Sequence, residues 1–215
     1  MIRVLLVDDH AAFRQPLAFM LEREPDITVV GQAGTLAEAR GLLHGVDVAL
    51  IDLALPDGNG IQLIKELHGA SPHSQALVLT GRADPVEYAQ AVEAGAAGML
   101  QKAVGISDII DAVRRLQAGE SLLSPQETIA LLRLAARQRE HDREAAAAAR
   151  GLTPREREVL QGLAAGLGDK EIAQRLYIST ETARTHMVNI LAKLGVDTRL
   201  QALVFAVRHG LVRIE

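Results

Sequence analysis

Three aspartates, a threonine and a lysine stand where apolar runs of this chain end. Asp8 and Asp9 follow Ile2 to Val7, Asp52 follows Val46 to Ile51, Thr80 follows Ala76 to Leu79, and Lys102 comes just after Gly98-Met99-Leu100. Clustered carboxylates repel one another and raise one another's pKa, so such a set calls for a cation. Hard oxygen donors suit Mg²⁺, which keeps waters and is usually held by one or two carboxylates together with phosphate oxygens. A carboxylate in that setting can attack a phosphoryl group and become an acyl phosphate, while Mg²⁺ and an ammonium spread the charge on the equatorial oxygens. Asp52 is the candidate nucleophile and Lys102 the candidate ammonium.

These side chains act together only if the fold gathers them. Each run reads as a buried parallel strand, and the stretches between have helical length and period. The expected fold is α/β, a doubly wound five-stranded parallel sheet of order 2-1-3-4-5. Strands 1 and 3 are then neighbours where the winding reverses, and the crevice past their carboxyl ends is the expected ligand site. Asp8, Asp9 and Asp52 would line it as the metal-binding set.

With those residues in view, the first part of the chain resembles a known family. Asp8-Asp9, the stretch Asp52-Leu53-Ala54-Leu55-Pro56-Asp57-Gly58-Asn59-Gly60, Thr80, and Gly95-Ala96-Ala97-Gly98-Met99-Leu100-Gln101-Lys102 are similar to the receiver domain of two-component response regulators, a flavodoxin-like fold. The resemblance covers residues 1 to 120 and rests on four elements falling in order. It implies that Asp52 takes a phosphoryl group from a histidine kinase, that Asp8 and Asp9 help bind Mg²⁺, and that Thr80 and Lys102 contact the phosphoryl group. Taken alone, an acidic pair such as Asp8-Asp9 is more often a turn or helix cap. His10 reads as a helix-entry residue.

Composition sets outer limits. The 215 residues suffice for one large or two ordinary domains, and the absence of cysteine excludes disulfides and thiolate metal sites. The chain runs straight from Met1 into the first strand, and no apolar stretch nears the roughly 20 residues of a membrane span, so a cytoplasmic protein is expected. Residues 1–120 carry 9 Lys/Arg against 16 Asp/Glu, whereas residues 121–215 carry 14 against 11. Any contact with nucleic acid is therefore expected from the second part.

Residues 121–150 read as a helical linker. Ser124-Pro125-Gln126-Glu127 has the grammar of a helix start, and charged residues followed by Ala145 to Ala149 suit a semi-rigid solvated spacer ending at Gly151. His141 belongs to that spacer rather than to a metal site. Thr153-Pro154-Arg155-Glu156 starts another helix, Asp169 to Leu176 a second, and Ser179-Thr180-Glu181-Thr182 caps a third that ends at Gly195. Two helices joined by the turn Tyr177-Ile178-Ser179 form a helix-turn-helix, whose second helix enters the major groove.

Leu152-Thr153-Pro154-Arg155-Glu156-Arg157-Glu158-Val159-Leu160, Lys170-Glu171-Ile172-Ala173, Thr182-Ala183-Arg184-Thr185-His186 and Lys193-Leu194-Gly195-Val196 resemble the all-α LuxR-type DNA-binding domain, over residues 151–215. A receiver joined to such a domain is the layout of the NarL/FixJ family. The resemblance implies binding to double-stranded DNA as a homodimer, with Arg184, Thr185, Val188 and Asn189 facing DNA, Lys170, Thr180 and Thr182 near phosphates, and a final helix from about Thr198 to His209 used for dimer contact. Glu181, Ala183 and Met99 depart from the family's usual residues, Met99 standing where many receivers carry an aromatic ring. Two alternatives stay open: an aspartyl-phosphate hydrolase of the haloacid dehalogenase kind, and a signal-independent dimerisation or ligand-binding module feeding the same DNA-binding domain. The first would place its nucleophile after strand 1, where this chain has Asp8-Asp9-His10.

Overall fold

The structure is a computed structural model and describes residues 1–82 and 84–213. Ile214 and Glu215, the end of the second predicted domain, lie outside the described residues. The elements run β1 (Ile2–Val7), α1 (Ala11–Glu22), β2 (Ile27–Ala33), α2 (Leu36–Arg40), β3 (Val48–Ile51), β4 (Ala54–Leu55), β5 (Gly58–Asn59), α3 (Ile61–Ala70), β6 (Gln75–Thr80), α4 (Pro85–Glu93), β7 (Ala96–Gln101), α5 (Ile106–Gln117), α6 (Pro125–Arg150), α7 (Pro154–Ala164), α8 (Asp169–Leu176), α9 (Thr180–Leu194) and α10 (Arg199–Arg208). They form two compact units, Met1–Arg137 and Gln138–Glu215.

In the first unit the five long strands pair in parallel in the order β2-β1-β3-β6-β7, the arrangement expected from the sequence. Successive side chains of a strand point to opposite faces, and here the alternation divides them between two apolar layers. Leu5, Val7, Ala49, Ile51, Ala76 and Val78 meet Leu36, Leu63, Ile64, Leu67 and Ala91 from α2, α3 and α4. Val4, Leu6, Val48, Leu50, Leu77 and Leu79 meet Leu17, Leu21, Ile109, Val113 and Leu116 from α1 and α5. Each fully buried Leu, Ile or Val contributes about 1.5–3 kcal/mol, so the central strands are fixed by burial on both faces.

The structure differs from the sequence reading in three places. β3 begins at Val48 rather than Val46, because the Asp47 carboxylate turns back to take the backbone N–H and the guanidinium of Arg3. The connection from β2 to β3 holds only the five-residue α2, well short of the helical length expected. The stretch after Asp52 folds into the small antiparallel hairpin β4–β5, and Asp57 at its turn accepts from the backbone N–H groups of Leu36 and Ala37. Those two donors hold the Asp57 carboxyl below the usual carboxylate range.

Helix α6 runs unbroken through the division between the units. It is not the fully solvated spacer expected from its charges, since Ala135, Ala145 and Ala149 are buried. In the second unit Leu152, Val159, Leu160, Ile172, Ala173, Ala183, Met187, Ile190, Leu194, Ala202 and Ala206 close one core.

Gly60 sets the spacing at the carboxyl edge of the sheet. Its φ of −58° is ordinary, but a Cβ there would lie 2.2 Å from the Asp52 carbonyl oxygen and 3.0 Å from Ile51 Cγ2. The start of α3 thus presses on the backbone that carries Asp52. Gly60→Ala is expected to destabilise the first unit by about 1–3 kcal/mol or more through overpacking. Gly69→Ala, in the same helix with open space around it, should be neutral or stabilise by up to about 1 kcal/mol. Denaturant melts of the two variants check the contrast, and equal effects would contradict it.

Candidate functional site

Parallel strands deliver their carboxyl ends to one edge, so the residues after β1, β3, β6 and β7 arrive side by side. Asp8 leaves β1, Asp52 leaves β3, Thr80 is the last residue of β6, and Lys102 follows β7. The Lys102 backbone N–H donates to the Thr80 carbonyl at 2.8 Å, which extends the β6–β7 ladder by one step and aims the lysine across the edge. Its Nζ lies 2.6 Å from Asp52 Oδ2 and 2.6 Å from Asp8 Oδ2. The Phe13 ring from α1 lies under the ammonium, 5.2 Å from centroid to nitrogen.

Burial by itself would lower the pKa of Lys102, but the close contacts and charges of Asp52 and Asp8 outweigh it and hold the pKa above its ordinary value. The lysine is a fixed cation. Asp8, Asp52 and Thr80 are buried, while Asp9 and His10 face outward. The His10 backbone N–H donates to Asp8 Oδ1 at 2.9 Å, and the His10 ring Nδ1 lies 2.7 Å from Asp9 Oδ1. The Ala54 N–H donates to Asp52 Oδ1 at 3.2 Å, and Arg14 donates to the Asp8 carbonyl.

Asp8, Asp9, His10 and Asp52 offer ligand atoms that all lie within 4.8 Å of one another. Asp8 Oδ2 is buried, and no donor is aligned on it as a hydrogen bond, although Lys102 Nζ stands close. Hard oxygens in this number, one of them without an aligned donor, fit a divalent cation of the Mg²⁺ type. The structure therefore brings Asp8, Asp9, Asp52 and Lys102 together. Thr80 reaches the same edge, but its hydroxyl is turned to its own loop, donating to the Arg82 carbonyl at 2.8 Å and accepting from the Arg82 N–H at 3.1 Å.

The second set of candidate residues lies on α8 and α9. Ala183, Met187, Ile190 and Leu194 form the buried stripe of α9, so Arg184, Thr185, Val188 and Asn189 face solvent on the other side. Thr182 is exposed and its hydroxyl shares a 2.7 Å hydrogen bond with Ser179, the cap of α9. Thr180 is half-buried at the first turn of α9, and Lys170 is exposed at the start of α8. Two features escaped the sequence reading. Tyr177 at the corner is 96% exposed and sits at φ 54°, ψ 45°, a left-handed conformation uncommon outside glycine. Asp169 pairs with both Arg184 and Arg199, a tertiary contact that no local spacing announces.

A carboxylate set with an opposed lysine at the switch edge of a 2-1-3-4-5 sheet, followed by a helix-turn-helix, defines a receiver joined to an output domain. The family described as "Response regulator receiver domain" matches residues 4–114, and "Bacterial regulatory proteins, luxR family" matches residues 150–206. The chain belongs to the response regulators that carry a LuxR-type DNA-binding domain. It is 38% identical over 211 residues to the DNA-binding transcriptional activator DevR/DosR of Mycobacterium tuberculosis, covering 96% of this chain and 94% of that one. It is 39% identical over 217 residues to the transcriptional regulatory protein LiaR of Bacillus subtilis, covering 99% and 100%. Among solved structures it is similar to RcsB from Salmonella enterica serovar Typhimurium bound to promoter DNA in the presence of a phosphomimetic, at TM-score 0.51 and 27% identity over 95% of this chain and 97% of that one.

Removing one partner of a buried ionic cluster leaves the rest uncompensated. Lys102→Ala is expected to cost roughly 3 kcal/mol in metal-free buffer, because Asp8 and Asp52 then face each other without a cation. Mg²⁺ should restore more stability to this variant than it adds to the wild type, since the vacated position favours the cation. Thermal melts with and without Mg²⁺ check this, and an equal Mg²⁺ response in both proteins would contradict it.

Proposed function

We propose that the chain is a phosphorylation-controlled regulator of transcription. Residues 1–120 form the phosphoacceptor domain, 121–150 the helical connection and 151–215 the DNA-binding domain. The observation that carries this reading is the meeting of Asp52, Asp8 and Lys102 at one sheet edge, in a chain whose α9 carries Arg184, Thr185, Val188 and Asn189 on its exposed face.

A phosphohistidine of a sensor kinase is the donor. One Asp52 carboxylate oxygen attacks phosphorus, the P–N bond breaks, and the histidine leaves with the electron pair and takes up a proton. Lys102 already stands within ion-pair distance of Asp52, so its ammonium is placed to neutralise the transferred group. Asp8, Asp9 and Asp52 are the residues that would hold Mg²⁺, which supplies further neutralisation of the phosphoryl oxygens when bound. The Thr80 hydroxyl contacts the phosphoryl group by exchanging the Arg82 carbonyl for a phosphoryl oxygen.

At the output end, Arg184, Thr185, Val188 and Asn189 read base edges, Val188 offering an exposed apolar contact suited to a thymine methyl. Lys170, Thr180 and Thr182 hold phosphates. Two copies bind together, and the stripe Leu200, Val204 and Val207, exposed on α10, supports that pairing. The carboxylates serve signalling and not turnover of a phosphate ester.

Incubation with acetyl phosphate and Mg²⁺ should add one phosphoryl group, read as an intact-mass shift, and Asp52→Asn should abolish it. The same shift on the Asp52→Asn protein, mapped to Asp8 or Asp9, would sink the assignment. On DNA, Arg184→Ala is expected to cost about 1–3 kcal/mol and relax base preference, whereas Lys170→Ala should weaken binding to all sequences about equally. Competitive binding to a duplex selected from a random pool and to a scrambled duplex separates the two effects. An unchanged preference in Arg184→Ala would remove α9 from base recognition.

A further inference from the structure

Asp169 is the first residue of α8, and its carboxylate is held by two arginines from different helices. Oδ1 lies 2.6 Å from Arg199 Nη1, and Oδ2 accepts from Arg199 Nη2 at 2.8 Å, a bidentate pair to the start of α10. The side chain is only 16% exposed, so this carboxylate is an anchored acceptor. Oδ2 also accepts from Nε of Arg184, at 3.3 Å. Arg184 is otherwise 60% exposed, and its second acidic neighbour is the exposed Glu181, 3.7 Å from Nη1.

We propose that Asp169 is a positioning residue for sequence readout: by holding Arg184 at Nε it sets which edge of the guanidinium meets DNA. This rests on the proposed role of α9 in the major groove. An unheld arginine on an exposed helix face samples many rotamers and loses that freedom when it docks. With Nε tied to an anchored carboxylate, the guanidinium presents its two terminal nitrogens as a fork once Nη1 exchanges the exposed Glu181, 3.7 Å away, for DNA, the geometry that reads an acceptor pair such as guanine O6 and N7. The same carboxylate opposes close approach of a phosphate, so Arg184 is discouraged from settling on the DNA backbone of an arbitrary sequence. Asp169 therefore suppresses non-specific binding and supports specific binding through one contact. Thr180, Thr182 and Lys170 do not depend on it, since none of them pairs with its carboxylate.

The test is a double-mutant cycle in the full chain with wild type, Asp169→Asn, Arg184→Ala and the combined variant. The probes are a duplex selected from a random pool by the wild-type protein and a scrambled duplex of the same length, each titrated at two salt concentrations. Asp169→Asn should bind the scrambled duplex severalfold more tightly and lose roughly tenfold in the selected-to-scrambled ratio, the size of one good base contact. In the Arg184→Ala background, Asp169→Asn should leave the ratio unchanged. An undiminished ratio in Asp169→Asn overturns the proposal, and so does an equal loss in both backgrounds, which would place the effect in the Arg199 pair and helix packing. If Arg184→Ala matches the wild type on both duplexes, the role of α9 itself fails and this proposal falls with it. Asp169→Ser runs the same cycle if Asp169→Asn does not melt cooperatively.

Discussion

One ammonium shared by two buried carboxylates governs the first unit. Asp8 and Asp52 leave adjacent strands of a sheet that is apolar on both faces, and burying two carboxylates side by side calls for a cation close by. Lys102 supplies it from the far side of β6, and it can do so because β7 is the edge strand next to β6 and the ladder continues to the Lys102 N–H. The strand order is thus a condition of the electrostatics. A lysine placed one strand away in sequence but not in this order would not span the edge. Gly60 serves the same end, since α3 must begin in contact with the Asp52 carbonyl for the carboxylate to be pinned between hairpin and sheet.

That arrangement is neutralised only in part. Asp8, Asp9 and Asp52 together outnumber Lys102, so the site favours a further cation and is sensitive to any change in its anionic load. On the proposed function, a phosphoryl group on Asp52 would replace a carboxylate of one negative charge by an acyl phosphate of close to two, which changes the partner that suits Lys102 and the donor that suits the phosphoryl oxygens. Thr80 brings a hydroxyl to the same edge, and its present partners are the backbone of a loop, bonds of ordinary strength that a charged acceptor outcompetes. Met99 on β7 is half-buried and unbranched, so it lacks the rigid shape of a ring.

The second unit solves its own burial problem by giving one carboxylate two tasks. Glu156 is 3% exposed, yet its Oε2 accepts from the Thr153 N–H at 2.7 Å, closing the capping box of α7, and from Lys193 Nζ at 2.7 Å at the end of α9. Burial alone would push Glu156 up, but these donors hold its carboxyl below the usual range. The start of α7 and the end of α9 are fixed to each other, and the outward face of α9 is fixed with them. Asp169 repeats the device on the outward face of α9, where the second arginine it holds is exposed.

Much of this was legible because local rules and tertiary demands coincide. Near-continuous apolar runs ending in Asp, Thr and Lys marked four of the five strands and the edge they share, and Thr153 and Ser179 announced helix starts that the structure places within a residue. What escaped depends on contacts without a sequence period. The β4–β5 hairpin lacks the length of a strand signal, and the buried alanines of α6 sit in a segment whose charges read as solvated. Asp169 reads locally as an acidic residue in the first turn of a helix, favoured there by the helix dipole. Its partners Arg184 and Arg199 stand 15 and 30 residues away on two other helices, so its contact with α9 exists only once α8, α9 and α10 have packed.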